Sequence, residues 1–172
     1  MLNVLILCTA NSARSILGEA ILNRVAAGRF TAFSAGSHPR GQPNPRALEL
    51  LSNLGYPTAD LRSKSWDEFA VAGAPKMDLV ITVCDSAAGE TCPYWPGAPL
   101  KAHWGIPDPA GAPGGIEGER AAFSLAHDRL LARMTALVAL PVETMQHDEL
   151  RRRIDEIGAL EGATDLARQR DR

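Results

Sequence analysis

Cys8 and Arg14 stand six residues apart in Cys8-Thr9-Ala10-Asn11-Ser12-Ala13-Arg14-Ser15, where an apolar run ends and a helical pattern begins. Leu2 to Leu7 is apolar and branched, as a buried strand is, and after Ser15 the residues Ile16, Ala20, Ile21 and Val25 recur on one helical face. A loop at such a junction aims successive backbone N–H groups and the positive end of the helix dipole at one spot, which suits a tetrahedral dianion. A thiol in that field, beside a cation, is expected to have a lowered pKa and to be largely thiolate at neutral pH. The planar guanidinium of Arg14 can give two hydrogen bonds to two oxygens of the anion. Ser15 is placed to donate one to the sulfur. The candidate anion-binding residues are thus Thr9, Ala10, Asn11, Ser12, Ala13, Arg14 and Ser15, with Cys8 as nucleophile. The competing assignment makes Cys8 a small buried hydrophobe and Arg14 a solvated helix residue.

Two more cysteines and an aspartate follow other strand-like runs. Val80-Ile81-Thr82-Val83-Cys84 ends one such run. If its strand neighbours the first, their ends lie about 4.8 Å apart, within reach of a Cys8–Cys84 disulfide. Cys92 comes eight positions after Cys84. If the stretch between them is helical, it spans about 12 Å, and a Cys84–Cys92 bond requires it to unwind, which Gly89 and its small polar neighbours make inexpensive. A metal site with His103 or His127 is an alternative with the wrong spacing for zinc; a core Cys84 with an incidental Cys92 is another. Asp108 lies on a Pro-flanked loop, able to protonate an oxygen leaving a tetrahedral centre, or to serve as an ordinary turn aspartate.

The elements that must position these residues alternate. Strand-like runs occur at Leu2 to Leu7, Phe30 to Ser34, Leu79 to Val83 and Pro99 to His103. Helices are expected from Ser15 to Ala27, from Asn44-Pro45 to Gly55, briefly from Ser65 to Ala70, from Glu117 to Leu140 and from Glu143 to Leu160, with the last dozen residues polar and frayed. This pattern predicts an α/β fold with a four-stranded, doubly wound parallel sheet, whose ligand sits beyond the carboxyl ends of the strands. Cys8, Cys84 and Asp108 all fall there.

The chain has 172 residues, 45% hydrophobic and 22% charged, enough for one ordinary core. A net charge of −2 with no basic stripe before Arg151-Arg152-Arg153 argues against nucleic-acid or membrane partners. No apolar stretch approaches roughly 18 residues and the N-terminus opens directly on a strand, so a cytoplasmic protein is expected. Three cysteines, an odd number, point to reactive thiols over a disulfide framework.

Cys8 to Ser15, Ser34-Ala35-Gly36, Val83-Cys84 with Cys92-Pro93, and His103-Trp104-Gly105 followed by Asp108-Pro109-Ala110-Gly111 together resemble the arsenate reductases built on the low-molecular-weight tyrosine phosphatase fold. The resemblance covers residues 1–140 and implies a three-layer fold of strand order 2-1-3-4, with 141–172 a helical extension and tail. It implies that Cys8 attacks arsenate, Arg14 holds it and Asp108 acts as acid. Cys84 then takes Cys8 into a disulfide and Cys92 takes over Cys84, to be reduced by thioredoxin or a similar dithiol. No tightly bound cofactor is expected, although relatives can hold potassium beside the loop, for which Asn11, Glu19 and Ser34 are the matching residues. A monomer is expected. Ala10 and Ala13 stand where relatives often carry Gly and Cys, the relay cysteines are one residue further apart than in some members, and other members draw on glutathione or mycothiol. A phosphatase forming a phospho-cysteine, or a non-catalytic oxyanion or redox sensor, are the competing functions.

Overall fold

The structure is a computed structural model that describes residues 1–26, 28–97 and 99–169. Its sheet has four parallel strands, β1 (Leu2–Cys8), β2 (Phe30–Gly36), β3 (Leu79–Thr82) and β4 (Leu100–His103), in the order β2-β1-β3-β4. This is the expected fold and order, with β2 running two residues further than its apolar run. β1 is central and covered on both faces, which is why its sequence reads as continuously apolar. Val4, Ile6 and Cys8 belong to the larger core, Leu5 and Leu7 to a smaller one with Trp66, Phe69 and Trp95.

The helices are α1 (Arg14–Val25), α2 (Pro45–Asn53), α3 (Asp85–Gly89), α4 (Gly115–Ala139), α5 (His147–Gly158) and α6 (Asp165–Gln169). α1 begins one residue earlier than expected, at Arg14 itself; the expected last residue, Ala27, lies outside the described residues. The Asn44 side chain caps α2 by accepting from the Arg46 N–H, with Pro45 in the first turn, where its missing N–H costs nothing. Ser65 caps a 3₁₀ turn over Trp66–Phe69 in the same way. α4 buries Phe123, Ala126, Leu130, Met134 and Leu137 along one stripe.

Two expectations are corrected and one conditional reading is resolved. α5 starts at His147 and not at Glu143, because residues 141–144 close a turn (Thr144 N–H to Pro141 O, 3.0 Å) and the Glu143 carboxylate is held by Arg29. Only Asp85–Gly89 of the stretch between Cys84 and Cys92 is helical, so the separation is not that of an eight-residue helix. The polar tail is not frayed through residue 169: Ala163 and Ala167 are buried, and α6 docks on the fold. A polar composition concealed two small residues at the contact. Val142, Ile154 and Ile157 join the larger core, and Trp104 Nε1 donates to Ile154 O (2.9 Å). Among the described residues no helix is long and apolar enough to cross a membrane.

Candidate functional site

The loop between β1 and α1 is held from outside by its carbonyl groups. Thr9 O accepts from His38 N–H (2.9 Å), Ala10 O from Arg40 N–H (3.1 Å) and Ser12 O from Asn44 N–H (2.8 Å). In a trans peptide the N–H of the next residue points the opposite way. Ala10, Asn11 and Ala13 therefore aim their N–H groups into the concavity, where the uncapped start of α1 adds its own. Asn11 adopts a left-handed backbone conformation (φ 42°), which Asn tolerates better than most residues. Gly36, the last residue of Ser34-Ala35-Gly36, is required by proximity: a Cβ there would lie 2.4 Å from Thr9 O and 2.8 Å from Cys8 O.

Beneath the loop, Cys8 Sγ lies 2.8 Å from Ser15 Oγ. Asn11 Nδ2 donates to that same oxygen (2.9 Å) and to Ser34 Oγ (3.0 Å), so the Ser15 proton is left for the sulfur. The expected depression of the Cys8 pKa is not found. Burial pushes the thiol up, outweighing the Ser15 hydrogen bond and the Arg14 charge, and a neighbouring Cys84 pushes the same way. Arg14 helps least because its guanidinium is turned to Ile106 O (2.9 Å) and Asp108 (3.2 Å).

The residues matched to a potassium site do not fit one. Asn11 Oδ1 accepts the Lys64 backbone N–H (2.9 Å), which fixes the amide so that its NH₂ faces Ser34. The Ser34 hydroxyl donates to Glu19, and the buried Lys64 ammonium stands 3.7 Å from the same carboxylate. The oxygens a hard cation would need are engaged and a lysine already supplies the positive charge. Burial pushes the Glu19 pKa up against the pull of Lys64 and Ser34, and pushes that of Lys64 down against Glu19.

Above the loop, a cleft of about 260 Å³ is lined by Cys8, Thr9, Ala10, Ser12, Ala13 and Arg14, and by Arg40, Cys84, Ser86, Asp108 and Ala110. Three of the sequence-predicted groups from separate strand ends, Cys8, Cys84 and Asp108, thus meet at one opening. Leu7 lies opposite Thr82, so Cys84 stands one step past the level of Cys8. Its thiol lies 3.7 Å from Thr9 Oγ1, whose own proton goes to Glu90 (3.2 Å). Its sulfur also receives the Ala87 N–H at the start of α3 (3.4 Å). Asp108 accepts the Ala110 N–H (3.1 Å), an Asx turn that aims its other oxygen at Arg14.

Cys92 is not at the cleft. It is half-buried against the smaller core, with its pKa pushed up by burial.

A family model described as low molecular weight phosphotyrosine protein phosphatase matches residues 3–151. This chain belongs to that family. Within it, an arsenate reductase of Halalkalibacterium halodurans is 33% identical over 128 residues, covering 74% of this chain and 88% of the relative. The crystal structure of an arsenate reductase from Archaeoglobus fulgidus matches with a TM-score of 0.63 and 27% identity over 80% of this chain and 99% of that one. A thioredoxin-dependent arsenate reductase of Corynebacterium glutamicum matches with a TM-score of 0.55 and 26% identity, over 76% of this chain and 58% of that one.

Several residues of the site lie outside the sequence reading. Arg40 and Ser86 line the cleft, Ser63 Oγ donates to Ala10 O (3.2 Å), and Lys64 buries its charge behind the loop. Arg-Ser-Lys-Ser resembles any polar surface turn, and its only signal is adjacency to the Ser65 cap, which returns the chain to the end of β2 (Gly36 N–H to Lys64 O, 3.0 Å).

Proposed function

We propose that this chain is an arsenate reductase that reduces arsenate to arsenite and passes the oxidising equivalents outward through Cys8, Cys84 and Cys92. The observation that carries this is the Cys84 thiol on the wall of the cleft that Cys8 floors, hydrogen-bonded to the residue after Cys8. A phosphoryl transfer ending in hydrolysis has no use for a second thiol there. The arsenate reductases among its relatives support the same reading.

In this reading arsenate enters as a dianion. Arg14 exchanges Asp108 for two arsenate oxygens, and the loop N–H groups take the others. The Cys8 thiol gives its proton to the bound dianion, so its raised pKa is no obstacle once an anion is present. The thiolate attacks arsenic, and a hydroxyl leaves as water with a proton from Asp108, giving a Cys8–arsenic(V) adduct. Cys84 gives its proton to the Asp108 carboxylate left by that step and attacks the Cys8 sulfur as thiolate. The S–As bond breaks with both electrons going to arsenic, so arsenite leaves and a Cys8–Cys84 disulfide remains. Cys92 thiolate then attacks the Cys84 sulfur, releasing Cys8 as thiolate and forming Cys84–Cys92. An external dithiol of the thioredoxin class returns two electrons and two protons. Residues 1–140 carry this chemistry, with 141–172 an addition to it. The reading carries with it a reducing, cytoplasmic setting and a monomer.

Coupled NADPH oxidation with thioredoxin, thioredoxin reductase and arsenate tests it, run beside p-nitrophenyl phosphate hydrolysis. Arsenate turnover lost in C8S, C84S and C92S alike is expected. Phosphate-ester hydrolysis with no arsenate-dependent oxidation would make the chain a phosphatase.

A further inference from the structure

The tail beyond the family match reaches back to the residue that follows Cys84. Thr164 Oγ1 donates to Asp85 Oδ1 (2.7 Å), and His103 Nε2 lies 2.8 Å from the same oxygen. A carboxylate only accepts, so His103 Nε2 carries its proton toward Asp85, with the ring oriented from its other side by Thr82 (2.8 Å). Thr164 is itself pinned through its N–H to Gly105 O (2.9 Å). Gly105 is what lets these groups converge: a Cβ there would lie 2.5 Å from Asp85 Oδ1, 2.5 Å from Thr164 Oγ1 and 2.6 Å from His103 Nε2. The return of the tail is built in by the buried Arg133, which donates to Gly158 O (3.3 Å), Leu160 O (2.9 Å) and Glu161 O (3.3 Å) where α5 ends.

We propose that Thr164 is a positioning residue for the thiol relay, clamping Asp85 together with His103 so that the backbone at Cys84 stays fixed while the segment from Ser86 to Cys92 unwinds. The proposal rests on the relay reading above. Asp85 is the first residue of α3 and sits between the sulfur that must stay at the cleft and the segment that must open. Downstream of it, Glu90 N–H bonds to Ala87 O within the segment and Ala88 N–H reaches back to Cys84 O, while Thr9 holds Glu90 from outside through a side-chain bond. Opening that part gives up these bonds, the Ala87 N–H to Cys84 Sγ bond (3.4 Å) and the apolar contacts of Ala87 and Cys92. The clamp makes Asp85 the boundary of the opening, so Cys84 keeps its approach to Cys8 in the first exchange and presents the same sulfur to Cys92 in the second. Thr164 lies beyond residue 151, where the family match ends, so the clamp is an addition to what that match covers.

The test compares C92S with C92S/T164V and C92S/T164S in a single turnover with arsenate. Samples are quenched by alkylation, the Cys8–Cys84 disulfide is quantified by mass spectrometry, and hydrogen exchange of residues 85–89 is measured on the same proteins. T164V is expected to slow disulfide formation roughly tenfold, the size of one lost hydrogen bond to a charged group. Exchange over 85–89 should rise, iodoacetamide reactivity of Cys8 without arsenate should stay as in the parent, and T164S should restore the rate. Equal disulfide rates in C92S and C92S/T164V would overturn the clamp while leaving the relay intact. No Cys8–Cys84 disulfide in C92S itself would overturn the relay, and the positioning role with it.

Discussion

Cys8 and Cys92 lie on opposite sides of the sheet, Cys8 in the core with Val4 and Ile6, Cys92 against the core of Leu5, Leu7, Trp66 and Trp95. A disulfide handed from one to the other must therefore pass around the carboxyl ends of the central strands β1 and β3 by way of Cys84, and Cys92 must leave its apolar contacts. Trp95, buried in the same small core and close to Cys92 in the chain, reports this directly. Conversion to the Cys84–Cys92 disulfide is expected to red-shift tryptophan emission in the parent and in W66F, and to leave W95F unshifted. Identical spectra for reduced and oxidised parent would show that the segment stays packed.

Ser15 stabilises the Cys8 thiolate through a 2.8 Å contact that the Asn11 amide keeps oriented. S15A should slow iodoacetamide capture of Cys8 at pH 7 by roughly tenfold to a hundredfold, the range for a lost hydrogen bond to a charged group. S15C or S15T should recover part of it. An unchanged capture rate in S15A would mean that Ser15 only packs.

Burial raises the Cys8 pKa, so the sign of its pH effect is fixed. Below the ordinary thiol pKa of about 8.5 both folded and unfolded chains hold the proton, and the stabilisation is full. As pH rises toward and through the folded value, the unfolded chain ionises first and stability is lost. Urea midpoints of the parent should fall between about pH 8 and 10 more steeply than those of C8S. Parallel profiles would contradict the raised value.

Lys64 is buried behind the loop 3.7 Å from the part-buried Glu19, and the pair is coupled to the loop through Ser34 and Asn11. K64M leaves a part-buried carboxylate uncompensated and is expected to destabilise the protein by about 2 kcal/mol, whereas E19Q/K64M should return to within about 1 kcal/mol of the parent. Arsenate turnover of the parent should be the same in potassium and in sodium salts, since Lys64 supplies the charge. Saturable activation by potassium would contradict that assignment.

The strand order and the convergence of Cys8, Cys84 and Asp108 are legible in the sequence because they follow from apolar runs and from where each run ends. Arg14 is legible for the same reason, at the first turn of a well-patterned helix. Three things are not. The Cys8 pKa depends on burial and on the direction in which Arg14 points, and the pairing of Arg14 with Asp108 has no mark in local sequence. Lys64 reads as a surface residue because burial of a cation is decided by its long-range partner Glu19. The docking of Thr164 on Asp85 joins residues 79 apart in sequence, and the buried residues on either side of it, Ala163 and Ala167, are too small to give a hydrophobic pattern.

Disulfide mapping after one equivalent of arsenate tests the central claim most directly. The protein is reduced, freed of reductant, mixed with arsenate, quenched with acid and alkylated, and its peptides are identified by mass. The relay predicts a Cys84–Cys92 bond with Cys8 free in the parent, a Cys8–Cys84 bond in C92S, and no arsenite from C84S. Arsenite released at the parent rate by C84S, with Cys92 still a thiol, would contradict it.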